Sequence, residues 1–215
     1  QWYNQTHFWR QSLGFCMKKD GSKCHVVEGG SKCVAAASND TAPALMTLDA
    51  ELVLAGPRGT RTVPINDFWV ADGIFNKRLE RGELLTHVRV PAAHAGHRGA
   101  YGKLRDRGSI DFPLLGVAAR LDLEAGTVVA ADLVVTALQA RPVRIKKAAE
   151  ALRGLQPGTE AFTAGVEQVA QAAYKQCHPM PNIPGDHEYR REMVPVYVRR
   201  TLKAAAEGKG PVHHV

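Results

Sequence analysis

Two runs, GVAARLDLE and VVAADLVVTAL, flank a short Ala-Gly-Thr turn and constrain this chain more than any other stretch. Both are rich in Val, Leu and Ala, and together they predict an antiparallel β-hairpin over residues 116–138. Just past this hairpin, at Arg141-Pro142, the pattern changes to a helical one. In RIKKAAEALRGL, Ile145, Ala148, Ala149 and Leu152 share a face, and in the next run Phe162, Val166, Val169, Ala170 and Ala173 do the same. A final helix follows in HEYRREMVPVYVRRTLKAAAEG, with Tyr189, Met193, Val196 and Leu202 inward and Pro195 expected to start or kink it. A β-rich middle followed by a helix-rich end is the order of an α+β protein.

Upstream of the hairpin, AELVLAG reads as a strand, PRG as a turn and TRTVPI as the return strand. Asn66 and Asp67 start a short helix or turn, and ELLTHVRVP reads as a strand ended by Pro91. Before these, SNDTAP reads as a helix start, with Ser38, Asn39 or Asp40 as its cap and Pro43 in its first turn. Residues 1–36 are irregular, broken by Gly14, Gly21, Gly29 and Gly30. The expected divisions are a cysteine-rich loop over 1–36, a β-rich unit over 37–140, a helix-rich α+β unit over 141–208 and a disordered tail over 209–215.

Three of the four cysteines fall in that first loop, as Cys16, Cys24 and Cys33 in the pattern C-x7-C-x8-C. Thiolates are soft ligands for zinc or iron–sulfur clusters. Zinc knuckles space their cysteines two to four residues apart, so spacings of seven and eight suit a wide loop around a larger cluster such as [4Fe–4S]. His25 adjoins Cys24, where neighbouring side chains rarely converge on one metal, and Cys177 lies far along the chain. Buried free cysteines are the plain alternative. Clustered thiols without a disulfide framework point to a reduced, cytoplasmic protein.

The net charge is +7, but the 28 Lys and Arg residues are dispersed. Nucleic acid, acidic partner proteins and an anionic cofactor are all compatible with that balance. No apolar run approaches the ~20 residues of a membrane span, and no signal peptide is visible. The chain begins Gln1-Trp2-Tyr3 without an initiator Met, as a mature, trimmed or partial chain does. Walker, G-x-G-x-x-G and G-x-S-x-G patterns are absent. Within YGKLRDRGSIDFP, Lys103, Arg105, Arg107 and Asp111 read either as an exposed salt-bridged turn or as groups beside an anionic or electron-accepting ligand.

Four stretches in order resemble one family, the flavoprotein (medium) subunits of molybdenum hydroxylases. They are SNDTAPALMTLDAELVLAGPRGTRTVPINDFW, GELLTHVRVP, AYGKLRDRGSIDFPLLGVAARL and DHEYRREMVPVYVRRTL. The resemblance implies the C-terminal part of a PCMH/VAO-type FAD-binding domain, its second half over 37–140, then a small α+β domain of the CO dehydrogenase flavoprotein type. It implies that Asp40 and Ser38 touch FAD, that Leu85 lies against the isoalloxazine and that Lys103 sits near its polar edge. No residue of this chain is implied as an acid–base catalyst. The cysteine loop resembles the branch of 4-hydroxybenzoyl-CoA reductase, whose pattern is C-x15-C-x7-C-x8-C. On that resemblance Cys16, Cys24 and Cys33 ligate a [4Fe–4S] cluster, a fourth cysteine falls immediately before Gln1, and the N-terminal flavin subdomain precedes it. The implied partners are a molybdenum-cofactor large subunit, a [2Fe–2S] small subunit and a ferredoxin as carrier, with no nucleic acid. A flavoprotein subunit of an aldehyde, xanthine or CO dehydrogenase is the alternative within the family. From another class, a zinc-stabilised basic nucleic-acid-binding module would use Cys16, Cys24, Cys33 and His25, with Trp2, Tyr3, Phe8 and Trp9 as stacking groups.

Overall fold

The structure, a computed structural model, describes residues 5–108, 110–181, 187–210 and 212–214. Two sheets organise it. The smaller has strand order β2-β1-β3, from β1 (Glu51–Gly56), β2 (Gly59–Pro64) and β3 (Leu84–Arg89), all antiparallel. The larger has order β7-β6-β5-β4-β8, from β4 (Arg98–Leu104), β5 (Leu115–Glu124), β6 (Thr127–Thr136), β7 (Val143–Arg144) and β8 (Val212–His214).

The expected hairpin is β5–β6. Glu124 pairs with Thr127, so the loop is Ala125-Gly126, and both residues have positive φ, 48° and 80°. A two-residue hairpin loop needs that backbone because its twist matches the strands. Gly accepts it freely, whereas Ala125 is held there by the ladder on either side.

Three helices cover one face of the larger sheet: α4 (Lys147–Leu152), α5 (Glu160–Gln176) and α6 (His187–Ala206). Strand period decides which side chains meet them. On β5, Leu115, Val117, Ala119 and Leu121 join the core beneath the helices, and on β6 Ala131, Leu133 and Val135 do so. From the helices, Phe162, Val166, Val169, Ala170 and Ala173 of α5 are buried as the periodicity predicts. In α6 the expected face is met in part: Leu202 is buried and Met193 packs against the core, whereas Val196 is half-buried, Tyr189 is 47% exposed, and Val194, Tyr197, Val198 and Thr201 supply the rest of the inward face. Pro195 lies inside this helix and does not start it. It is buried. Gly102 lets α6 approach β4, since a Cβ there would sit 2.4 Å from Thr201 Oγ1.

The other face of the same sheet meets α2 (Thr41–Thr47). Both faces of β5 and β6 are therefore covered, which is why their burial is nearly continuous rather than alternating. A second small core of Met46, Leu52, Leu54, Ile65 and Phe68 includes Val134 from this face, Phe68 belonging to the short helix α3 (Ile65–Phe68). The expected boundary near 140–143 falls within the large sheet, for β6 and β7 are hydrogen-bonded across it. The expected disordered tail contains a strand instead: residues 212–214 pair in parallel with Gly102–Leu104.

Candidate functional site

Between α2 and the large sheet lies a set of buried polar groups. Lys103, Arg120, Asp132 and Thr136 are all under 9% exposed, and all point to the α2 side of their strands. The sheet thus has an apolar face toward α4–α6 and a polar face toward α2.

At the N-terminal end of α2, Asn39 caps the helix: its Oδ1 accepts from the N–H groups of Thr41 (3.0 Å) and Ala42 (2.8 Å). Of the three residues expected to cap it, Asn39 does so, and Asp40 makes no capping bond. Its carboxylate is instead turned to β4. Tyr101 OH donates to Oδ1 at 2.8 Å, and Lys103 Nζ donates to Oδ2 at 2.8 Å. Lys103 also donates to the Asp111 carbonyl at 2.6 Å. Arg107 approaches the Asp111 carboxylate at 3.6 Å, so the salt-bridged turn exists while Lys103 faces inward beside it. The Tyr101 hydroxyl is pushed far up, by burial first and then by Asp40, and so remains a donor. Tyr101 was not singled out in the sequence. The signal was its spacing: residues 101 and 103 share one side of a strand.

Structure therefore brings Asp40 and Lys103 together, with Tyr101. Ser38 lies two residues before Asp40, but its side chain makes no hydrogen bond to this cluster. Leu85 is on the smaller sheet. Every residue of β3 is exposed, Leu85 at 51% and Leu84 at 72%, so this strand presents apolar surface on both sides.

At the C-terminal end of α2, two arginines from the sheet meet the last carbonyls. Arg120 Nε donates to Thr47 O, and Arg144 Nη2 to Met46 O at 2.7 Å. Cations there complement the helix dipole. Arg144 also donates to Asp49 at 2.7 Å and forms an ion pair with Asp132 at 2.6 Å, while Arg120 pairs with Asp122 and reaches His94 Nδ1 at 2.6 Å. Burial opposes ionisation of Asp49, but Arg144, Arg120 and His94 hold its carboxyl below the ordinary value.

The cysteine loop is built around Arg10 of a short helix, α1 (His7–Leu13), within the stretch expected to be irregular. Arg10 pairs with Asp20 at 3.1 Å and lies 5.5 Å from the Phe15 ring centroid. Cys16 and Cys33 are buried and Cys24 is half-buried, all free thiols. Backbone N–H groups point at two sulfurs: Val27 to Cys24 Sγ at 3.3 Å and Ala35 to Cys33 Sγ at 3.4 Å. Gly73 closes over Cys33, where a Cβ would come within 2.7 Å of the sulfur. Burial pushes the Cys33 thiol up, eased by the Ala35 N–H and Lys18. His25 Nε2 is 2.9 Å from Phe15 O. Among the described residues no three His, Cys, Asp or Glu side chains converge on one ion, as a mononuclear zinc site requires. Thiolate ligands of an iron–sulfur cluster commonly accept such N–H donors, and two of these three cysteines have them. Cys177 is elsewhere, fully buried in the helical core with its thiol pushed up to about 12. Of the expected stacking groups, Trp2 and Tyr3 lie outside the described residues, and Phe8 is 82% exposed.

Comparison with known proteins places these features. Residues 27–93 match the FAD binding domain in molybdopterin dehydrogenase, and residues 99–205 match the CO dehydrogenase flavoprotein C-terminal domain. The carbon monoxide dehydrogenase medium chain of Hydrogenophaga pseudoflava is 32% identical over 168 residues, covering 78% of this chain and 56% of that one. The chain belongs with the FAD-binding medium subunits of the molybdenum hydroxylase family. The xanthine dehydrogenase FAD-binding subunit of Escherichia coli O157:H7 is 25% identical, over 85% of this chain and 61% of its own length. The solved Hydrogenophaga pseudoflava carbon monoxide dehydrogenase lacking the Mo-pyranopterin moiety superposes with a TM-score of 0.71 at 31% identity, over 81% of this chain and 58% of that one. The fold is thus an FAD-binding domain joined to a CO dehydrogenase flavoprotein C-terminal domain, mixed in helix and sheet as expected. The chain spans less than two thirds of the length of these relatives.

Proposed function

We propose that this chain is the portion of an electron-transferring flavoprotein subunit that holds the polar edge of FAD, in a molybdenum-containing oxidoreductase. The Asp40–Lys103 pair carries this reading, because it joins the FAD-binding and C-terminal regions. The donor set fits a flavin. A buried ammonium and a carboxylate with free acceptor capacity match a heterocycle edge of carbonyl oxygens and ring N–H groups. FAD, when bound, supplies reversible storage of electrons. Lys103 supplies positive charge that favours the anionic reduced form, Asp40 accepts a hydrogen bond, Ser38 adds a hydroxyl nearby and Leu85 offers an apolar contact to the ring system. None of the four acts as an acid or base on substrate, whose chemistry belongs to a molybdenum cofactor on a large subunit, reached through a [2Fe–2S] small subunit.

The finer reading is a 4-hydroxybenzoyl-CoA reductase-like enzyme in the cytoplasm, with a ferredoxin as external carrier. Two observations support its cluster: the C-x7-C-x8-C spacing, and the N–H groups at Cys24 and Cys33. Cys16, Cys24 and Cys33 would supply three ligands to [4Fe–4S]. The second reading is a CO, xanthine or aldehyde dehydrogenase-type flavoprotein, and the relatives named above favour its CO and xanthine forms.

The test uses the assembled enzyme purified without oxygen. Lys103→Met is expected to lower FAD affinity about tenfold, as loss of a charge-assisted hydrogen bond does; unchanged affinity opposes the flavin site. Iron and sulfide in excess of the small subunit's content, lost in Cys24→Ser, support the cluster, while one zinc per chain and no added colour refutes it.

A further inference from the structure

We propose that Tyr101 is a positioning residue for the flavin site, its hydroxyl fixing the plane of the Asp40 carboxylate so that the free lone pairs face the ligand. The inference rests on the flavin reading above. A carboxylate has about four acceptor positions. Two are taken, one on each oxygen, by Tyr101 and Lys103. The Asp40 side chain is 45% exposed while that of Lys103 is 11% exposed, so both donors approach from the protein side and the remaining acceptor positions face outward. One donor alone would leave the carboxylate free to turn about its Cβ–Cγ bond. Two donors from one strand face, at residues 101 and 103, remove that freedom.

Tyr101 is itself fixed. Its hydroxyl lies over Gly116, where a Cβ would come within 2.5 Å of it and within 2.7 Å of Thr136 Cγ2. On the other side, Asn39 takes over the capping of α2 and so releases the Asp40 side chain for this task. The tyrosine, the glycine under its hydroxyl and the asparagine cap thus act on one carboxylate.

The experiment is a double-mutant cycle in the assembled enzyme, stripped of flavin and titrated with FAD, with the midpoint potential of the bound flavin read in parallel. Tyr101→Phe keeps the ring and removes only the donor. The expected result is about tenfold weaker FAD binding with a shifted flavin potential. In the Asp40→Ala background the same substitution is expected to change affinity less than twofold, since the group it acts through is gone. Unchanged affinity and potential in Tyr101→Phe overturn the proposal, and so does a tenfold loss that persists without Asp40. If Asp40→Ala and Lys103→Met both leave FAD binding intact, the flavin site itself is refuted. If those two weaken binding and Tyr101→Phe does not, the role of Tyr101 alone is refuted.

Discussion

Asp132 shows how one residue's surroundings set its charge. It is 6% exposed on β6, 2.6 Å from Arg144. Burial pushes its carboxyl up to about 6 from an ordinary 3.8, and the opposing pull of Arg144, the Leu133 N–H and Arg120 is smaller. Between those two values the folded protein holds a proton that the unfolded chain has released. Stability therefore falls as pH rises from about 4 to about 6, by at most about 3 kcal/mol for a shift of roughly two units. Asp132→Asn is expected to flatten this window, and urea unfolding at pH 4.5 and 7.5 measures it. Glu167 works in the opposite sense. Arg199 and Gln171 hold its carboxyl down to about 2, so its contribution is present above about 4.5 and is lost as pH falls through about 2.

At the scale of elements, contact between α6 and β4 is governed by a missing side chain. A Cβ at Gly102 would meet Thr201 Oγ1 at 2.4 Å and Tyr197 Cδ1 at 3.1 Å. Gly102→Ala is expected to destabilise the fold by about 1–3 kcal/mol through overpacking. Thr201→Ala removes the nearer atom, so the double variant should recover part of that loss. Thermal unfolding of the two single variants and the double variant gives the coupling energy. Additive losses would mean that α6 contacts β4 differently.

For the whole molecule, the joint between the FAD-binding region and the large sheet consists of α2 held at both ends. Asp40 is tied to β4 at one end, and Met46 and Thr47 are tied to Arg144 and Arg120 at the other. Arg144→Met removes bonds to Met46 O, Asp49 and Asp132 together. Hydrogen exchange should then show α2 and β1 opening more readily, by about 1–2 kcal/mol, while β5 and β6 stay protected. Equal loss in both regions would mean that the two unfold as one unit.

Local pattern was enough for much of this. The β5–β6 hairpin, the β1–β2 hairpin and the inward face of α5 follow from period and turn chemistry, which act over a few residues. The family was legible from four ordered stretches, and Asp40 and Lys103 were named from them. The sequence did not show that Asn39 rather than Asp40 caps α2, since three adjacent residues have similar capping ability and only the position of β4 draws Asp40 away. Nor did it show the whole inward face of α6, where Tyr197 and Thr201 face β4 because Gly102 leaves room for them. Tyr101, Arg120 and Arg144 become partners of α2 only when the second face of the sheet is covered. Buried polar groups must find hydrogen-bond partners, and residues more than 50 apart in sequence supply them here. Periodicity determines the elements, whereas packing on both faces of one sheet decides which polar residues form the site.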